Sequence, residues 1–73
     1  NLVPAIESIY EWEGKICRDK EILGLIKTTR GKVKELETCL FERHPYDQPE
    51  LIAVPVESGN EGYLNWVRSI TNK

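Results

Sequence analysis

The amino-acid sequence predicts a small α+β domain with the element order β-β-α-β-α. Three observations predict it: polar and apolar residues alternate early in the chain, two later segments carry apolar residues at helical spacing, and a short apolar run separates those segments. The 73 residues, 8.4 kDa in all, cannot be divided between two hydrophobic cores. We therefore expect a single domain over residues 1–73.

The first two strands are predicted from patterns of period two. Residues 9–16 alternate, which places Tyr10, Trp12 and Ile16 on one face of a half-buried strand. Gly14 interrupts this strand and predicts a β-bulge or a close approach of the backbone. The charged residues 18–20 predict a hairpin turn, and residues 21–28 its second strand.

Two helices and a third strand are predicted from the rest of the chain. Residues 32–43 carry an apolar stripe at i, i+3 and i+7, and Thr29 or Gly31 can cap the helix. The apolar residues 51–56 predict a strand in which Pro55 belongs at an edge or an end. Asn60 predicts the N-cap of a last helix. The apolar face of that helix comprises Tyr63, Leu64, Trp66, Val67 and Ile70.

Composition and charge exclude several classes of protein. A formal charge of -2 and a pI near 5.4 argue against nonspecific nucleic-acid binding. Apolar runs are far shorter than the roughly 20 residues of a membrane span. Two cysteines are too few for a disulfide-dependent scaffold and favour a reducing compartment, the cytoplasm. A chain this short rarely stabilises its own core, so we expect missing chain or an oligomer to cover it.

Four sequence blocks resemble the CutA divalent-cation tolerance proteins. The blocks are residues 8–16 (SIYEWEGKI), 21–28 (EILGLIKT), 44–50 (HPYDQPE) and 52–60 (IAVPVESGN), the last followed by Tyr63, Leu64 and Trp66. The resemblance implies a ferredoxin-like fold, β-α-β-β-α-β plus a C-terminal helix, of which this chain covers β-β-α-β-α. The family's N-terminal strand and helix precede the residues that match Asn1. Ala5 departs from the family, which often has Gly there.

The resemblance also implies a function and an assembly. We expect a homotrimer of PII-like architecture, a noncatalytic binding or signalling protein linked to divalent metal tolerance, with no required cofactor and with copper or another divalent cation as the metal. The alternative is a structural or anchoring trimer, like relatives associated with acetylcholinesterase, that binds no small ligand.

Aromatic and charged residues form the principal candidate site. The resemblance implies that the residues of this set, given below, lie near a cleft between subunits. There their hydrogen-bond donors, hydrogen-bond acceptors and aromatic ring faces could bind a ligand. The alternative is that the aromatic residues pack in the sheet or the interface, and that Lys27 and Glu50 form an ordinary ion pair. The set comprises Tyr10, Trp12, Lys15, Glu21, Lys27, His44, Tyr46 and Glu50.

Metal and anion sites have weaker support. Cys17, Cys39 and His44 are the soft ligands. Cys39 and His44 lie roughly 140° apart around a helix and do not chelate together there. We expect Cys39 to be buried on the helix stripe and Cys17 to be exposed.

A basic cluster surrounds the start of the first helix, where an anion would be favoured, although a solvated face is the alternative. It comprises Lys27, Arg30, Lys32 and Lys34. The sequence has no catalytic arrangement around its one His, so we expect no enzyme.

Overall fold

The computed structural model describes residues 1–46 and 48–72. It contains the antiparallel strands β1 (Leu2–Trp12) and β2 (Lys15–Gly24), a 3-10 turn (Arg30–Lys32), and the helices α1 (Val33–Arg43) and α2 (Glu61–Thr71). The predicted α+β class, the hairpin and both helices are confirmed. Neither helix is long and apolar enough to cross a membrane.

The hairpin turns at Glu13 and Gly14. The ladder pairs Trp12 with Lys15, and both turn residues have positive φ, 51° at Glu13 and 78° at Gly14. Two consecutive positive φ angles define the type I′ geometry that suits the twist of a hairpin. The turn predicted at residues 18–20 is therefore wrong, since these residues lie within β2 and pair with β1. Gly14 makes the turn and not a bulge.

The position of this turn decides which residues share a sheet face. Tyr10 pairs with Cys17, and Trp12 lies two residues further on the same face. Ile16 pairs with Glu11, so it lies on the opposite face from Tyr10 and Trp12, contrary to prediction. We call the sheet face that carries Tyr10 and Trp12 the Tyr10 face. It comprises Ile6, Ser8, Tyr10, Trp12, Lys15, Cys17, Asp19 and Glu21.

A β-bulge interrupts β1 near its start. The register shifts between Val3 and Ile6, which leaves Pro4 and Ala5 opposite Ile22. Ala5 has a φ of 57°, in the left-handed region that favours glycine. Pro4 lacks an N–H and is tolerated at such a break in the ladder.

The helices begin and end close to the predicted residues. The Thr29 carbonyl accepts the Lys32 N–H at 2.9 Å in the 3-10 turn. The Thr29 side chain makes no capping hydrogen bond, and the N-cap position of α1 is Lys32 and not Gly31. α1 ends at Arg43 because His44 is extended before Pro45, as predicted. The Asn60 side chain accepts the N–H of Tyr63 at 3.0 Å, which confirms the predicted N-cap of α2.

The third strand is absent. Residues 51–60 are described and carry no strand, so the prediction for 51–56 is wrong. β1 and β2 pair only with each other, and a strand exists only where a neighbour accepts its hydrogen bonds. The apolar side chains of Ile52, Val54 and Val56 are 71–78% exposed as a result.

The core of the described residues is small. Among the described residues Val67, at 7% exposure, and Pro49 are buried, and large apolar side chains elsewhere remain in contact with solvent. The radius of gyration is 15.2 Å, against about 11 Å for a compact domain of this length. The described chain therefore does not close a core of its own, in agreement with the need for further covering surface.

Candidate functional site

Three of the eight predicted pocket residues converge in one groove. Glu21, His44 and Tyr46 meet where the segment after α1 passes beside β2. The open groove has a volume of about 400 Å³. We call it the Glu21 groove; its lining residues are Ala5, Lys20, Glu21, Ile22, His44, Pro45 and Tyr46.

His44 is fixed by the turn that ends α1. Its backbone N–H donates to the Leu40 carbonyl at 2.8 Å, and its ring Nδ1 accepts the backbone N–H of Tyr46 at 3.1 Å. The His44 and Tyr46 rings pack edge to face, with centroids 4.8 Å apart and planes at 61°. The hydrogen bond and the ring contact together fix His44 and Tyr46 relative to each other in the lining of the groove.

Tyr46 also interacts with Glu21 on the opposite wall. The negative charge of the Glu21 carboxylate, and its hydrogen bond with the phenol, raise the pKa of Tyr46 above its ordinary value. A tyrosine phenol is protonated at neutral pH in any case, and the raised pKa extends its protonated range to more alkaline pH. Glu21 on β2 and Tyr46 in the segment after α1 are thus coupled electrostatically.

Tyr10 is bound to a residue that the sequence argument missed. The Tyr10 hydroxyl donates to the Asp19 carboxylate across the hairpin, and this hydrogen bond, with smaller contributions from desolvation and nearby charge, raises the pKa of Tyr10 to about 12. The turn predicted at residues 18–20 puts Asp19 in a loop, whereas in the structure it pairs with Ser8 on the Tyr10 face. Correct recognition of the Glu13-Gly14 turn would have identified it.

The other pocket candidates lie outside the Glu21 groove. Trp12 and Lys15 face each other beside the hairpin turn, on the same face as Tyr10. Lys27 and Glu50 do not line the groove. The part of the chain that the structure describes has two ion pairs, Arg18–Glu7 at 3.9 Å and Lys32–Glu35 at 3.7 Å, and none between Lys27 and Glu50.

The three predicted soft ligands lie apart. His44 lines the Glu21 groove, whereas Cys39 lines a second shallow groove on α1 with Glu35 and Glu42. Cys39 is exposed, contrary to prediction, because it lies about 90° around α1 from the centre of the apolar stripe. Cys17 was predicted to be exposed and is instead half-buried on the Tyr10 face. Within residues 1–46 and 48–72, no three His, Cys, Asp or Glu side chains are placed to hold one metal ion.

The basic cluster does not form a concentrated anion site. Lys32 lies 3.7 Å from Glu35, which balances its charge, and Arg30 begins a 3-10 turn of only three residues. α1 itself begins at Val33. The solvated-face alternative for Arg30, Lys32 and Lys34 fits this arrangement better.

Sequence reasoning missed four lining residues of the groove. The predicted turn at residues 18–20 includes Lys20, and the predicted first strand, residues 9–16, begins after Ala5. The signal that could have found them is the apolar content of residues 2–6, which indicates that β1 begins well before Ile9. An earlier strand start brings the bulge, and with it Ala5, opposite Ile22 and beside Glu21.

The hairpin and the two helices make an α+β fold, with the Glu21 groove between β2 and the segment after α1, and a solved protein that shares the fold is PII-like, of the ferredoxin-like class. The family model for the CutA1 divalent ion tolerance protein matches residues 1–70. The chain belongs to this family, and the resemblance seen in the sequence is confirmed.

Similar proteins agree on both sequence and fold. Protein CutA of Bos taurus is 54% identical over 71 residues, which are 97% of this chain and 40% of that protein. The solved divalent cation tolerance protein of Thermus thermophilus has a TM-score of 0.95 at 42% identity, covering 97% of this chain and 69% of that one. The PII-like CutA of Nostoc, solved in apo form, has a TM-score of 0.90 at 30% identity, with the same coverage. The chain thus spans less than half the length of its bovine relative.

Proposed function

We propose that this chain is a noncatalytic binding module that assembles as a homotrimer and acts in the cellular response to divalent metal ions, copper among them. The observation that carries the binding role is the convergence of Glu21, His44 and Tyr46 in the Glu21 groove. The names of the relatives supply the link to divalent cations. Two free cysteines support a cytoplasmic location.

The exposed apolar surface supports the homotrimer. Ile9, Ile16 and Ile22 lie on the face of the hairpin opposite the Tyr10 face and are 56–71% exposed. Charged residues lie between them on this face, with Arg18 opposite Ile9 and Glu11 opposite Ile16, so it has the mixed composition of many interfaces between subunits. The PII-like relative supports the same interpretation.

The groove chemistry supports binding without catalysis. Its lining residues include no Ser, Thr or Cys that could act as a nucleophile beside His44. Tyr46 is protonated at neutral pH, as any tyrosine is, and Glu21 raises its pKa further, so the phenol can donate a hydrogen bond and does not act as a base. Such groups orient a ligand.

Titration with Cu²⁺ tests the metal link. Trp12 and Trp66 are more than half exposed, so bound copper can quench their fluorescence. The proposal predicts saturable quenching with a fixed ratio of copper to subunits, and no response to Mg²⁺. Light scattering on the same sample should give three subunits.

Two cysteine variants make matched controls. Cys17 lies on the Tyr10 face, whereas Cys39 is exposed on α1. Copper capture at the sheet is abolished by Cys17→Ser and kept by Cys39→Ser. Linear, unsaturable quenching in the trimer would contradict the metal response and favour the anchoring trimer.

A further inference from the structure

Two phenols and two carboxylates share one electrostatic environment beside β2. Asp19 raises the pKa of Tyr10, chiefly through their hydrogen bond, and the charge of Glu21 adds a smaller contribution. The charge of Glu21 is the main cause of the raised pKa of Tyr46, and the charge of Asp19 contributes as well. Each carboxylate therefore lies close enough to act on both phenols. The Glu21 groove, which Glu21 and Tyr46 line, has a negative potential as a result.

The described residues place no cation beside these two carboxylates. Both ion pairs found within residues 1–46 and 48–72 involve other side chains. Lys20 pairs with Glu7 and so belongs to the face of the hairpin opposite Glu21. Lys15 is on the Tyr10 face, but it lies four residues before Asp19, about 13 Å away along the strand. The charge of the groove is thus left for a ligand to balance.

His44 adds an aromatic ring to the groove and no charge. Its Nδ1 accepts the Tyr46 N–H at 3.1 Å, and a nitrogen that accepts a hydrogen bond carries no proton. A charged imidazole has donors at both nitrogens, so the ring in this contact is neutral. The His44 and Tyr46 rings pack against each other in the lining. Aromatic rings beside a carboxylate favour a cation, because ring faces carry negative partial charge.

The size and the remaining chemistry of the groove specify the kind of cation. A volume of about 400 Å³ is in the range of small-molecule sites, and Ala5 and Pro45 supply apolar surface. An ionised carboxylate has about four acceptor positions, so Glu21 can receive N–H donors from a ligand besides the Tyr46 phenol. A divalent metal ion needs more ligands, and no three suitable side chains meet in the described part of the chain.

We propose that the Glu21 groove binds a small primary alkylammonium ion, whose N–H groups donate to the Glu21 carboxylate and whose alkyl group packs against Tyr46, Ala5 and Pro45. This inference rests on the binding role proposed for the groove and names its ligand class.

Proton–nitrogen NMR spectra of the chain test this with isoamylamine, which is a cation at neutral pH. It should shift the backbone amide signals of Glu21 and Tyr46 with a Kd of roughly millimolar order. Isoamyl alcohol keeps the alkyl group without the charge, and isovalerate replaces the ammonium by a carboxylate. Both should bind at least fivefold more weakly than isoamylamine. Tetramethylammonium, which has the charge but no N–H donor, should also bind more weakly.

Two pairs of variants separate the charge from the ring. Glu21→Gln keeps the shape of the side chain and should lose about fivefold in isoamylamine affinity. Glu57→Gln removes the same charge from an exposed residue outside the groove and should leave the affinity unchanged. Tyr46→Leu removes the ring and should lose about threefold, whereas Tyr46→Phe keeps the ring and most of the affinity. Melting temperatures of all four variants verify that the fold is retained.

Several outcomes would overturn the inference. Isoamyl alcohol or isovalerate that binds as well as isoamylamine would remove the ammonium from the ligand class. Equal affinity losses in Glu21→Gln and Glu57→Gln would reduce the effect to net charge. Mg²⁺ that displaces isoamylamine at a lower concentration would assign the carboxylates to a metal ion. Absence of any isoamylamine response overturns the ligand class alone, because copper titration and light scattering report separately on the proposed function.

Discussion

The backbone of Ala5 is in a conformation that its side chain disfavours. Its φ is 57°, and a β-carbon in the left-handed region costs roughly 1–2 kcal/mol. The Ala5→Gly variant removes this strain but adds freedom to the unfolded chain. We therefore expect a net gain of about 0.5–1 kcal/mol in the free energy of unfolding, measured by denaturant melts at fixed subunit concentration.

Ala53 provides the matched control for this substitution. It is exposed and does not have positive φ. Ala53→Gly relieves no strain and should leave stability unchanged or lower it by up to about 1 kcal/mol. A loss of stability in Ala5→Gly equal to that in Ala53→Gly would show that the bulge stores no strain.

The Tyr10 phenol gives stability a dependence on alkaline pH. Its pKa rises from 10.0 to about 12 because it donates to Asp19. The folded state thus holds this proton more tightly than the unfolded state, so the contribution is full below pH 10 and is lost as pH rises toward 12. Absorbance titration of tyrosinate should show Tyr10 ionising late.

The Asp19→Ala variant tests the assigned cause. Removal of the carboxylate should lower the pKa of Tyr10 toward the ordinary tyrosine value. The free energy of unfolding should then decrease less as pH rises from 10 toward 12. Glu21→Gln serves as the comparison, since it should lower the Tyr46 pKa and leave that of Tyr10 nearly unchanged. An unaltered Tyr10 titration in Asp19→Ala would assign the shift to another group.

At the residue scale, the sequence identifies which side chains belong to a site better than it identifies which residues they contact. Glu21, His44 and Tyr46 were predicted as pocket residues, and they share a groove. The partner of Tyr10 was not predicted, because a hairpin turn placed five residues late puts Asp19 in a loop. Partners depend on the register, which the pattern of a single strand does not determine.

At the element scale, the hairpin depends on two residues with positive φ. A β-carbon added at Gly14 would meet no atom within 4 Å, so Gly14→Ala acts through the backbone alone. We expect it to lower the free energy of unfolding by about 1 kcal/mol. Glu13→Asn should raise it by about 0.5 kcal/mol, because Asn accepts a positive φ more readily. Thermal melts of both variants measure this, and a neutral Gly14→Ala would refute the turn assignment.

The second helix begins with a side-chain cap that can be removed alone. Asn60 accepts the Tyr63 N–H, and Asn60→Ala should cost about 1 kcal/mol. Asn65, inside the same helix, is exposed and accepts only from Arg68 at 2.7 Å. Asn65→Ala should be neutral or slightly stabilising, because Ala has the higher helix propensity. Equal losses in the two variants, by circular dichroism melts, would contradict the capping role.

Elements with local signals were predicted well, and those that need distant partners were not. The helices follow from apolar spacing and from Pro45 and Asn60, all of which act within a few residues. The strand predicted at residues 51–56 has the right composition but forms no ladder with any described residue. Strand formation needs a neighbour, and composition alone cannot supply one.

At the scale of the whole molecule, the surface is more apolar than a free monomer tolerates. Ile52, Val54 and Val56 form an exposed alternating row, and β1 and β2 each have one unpaired edge. Both features are hazards for a chain alone in water. An exposed apolar row together with unpaired strand edges is expected when another polypeptide segment, of the same or another molecule, covers both.

Assembly should therefore appear as a dependence of stability on concentration. If identical subunits cover these surfaces, the melting temperature rises with subunit concentration, because association favours the folded state by mass action. Val54 is 78% exposed within one subunit. Val54→Lys should change stability by less than about 0.5 kcal/mol in a monomer, whereas at an interface it buries a charge and should dissociate the assembly.

Ser58→Lys separates a general effect of charge from an effect on the interface. Ser58 is exposed, lies four residues after Val54 and belongs to no helix or strand. The Ser58→Lys substitution therefore adds the same charge as Val54→Lys, but outside the apolar row. Sedimentation should show a trimer for the parent chain and for Ser58→Lys, and smaller species for Val54→Lys. If the parent chain melts cooperatively as a monomer at a temperature independent of concentration, the exposed row is not an interface between copies. The homotrimer would then have to be abandoned, while the Glu21 groove, which lies within one subunit, would remain testable.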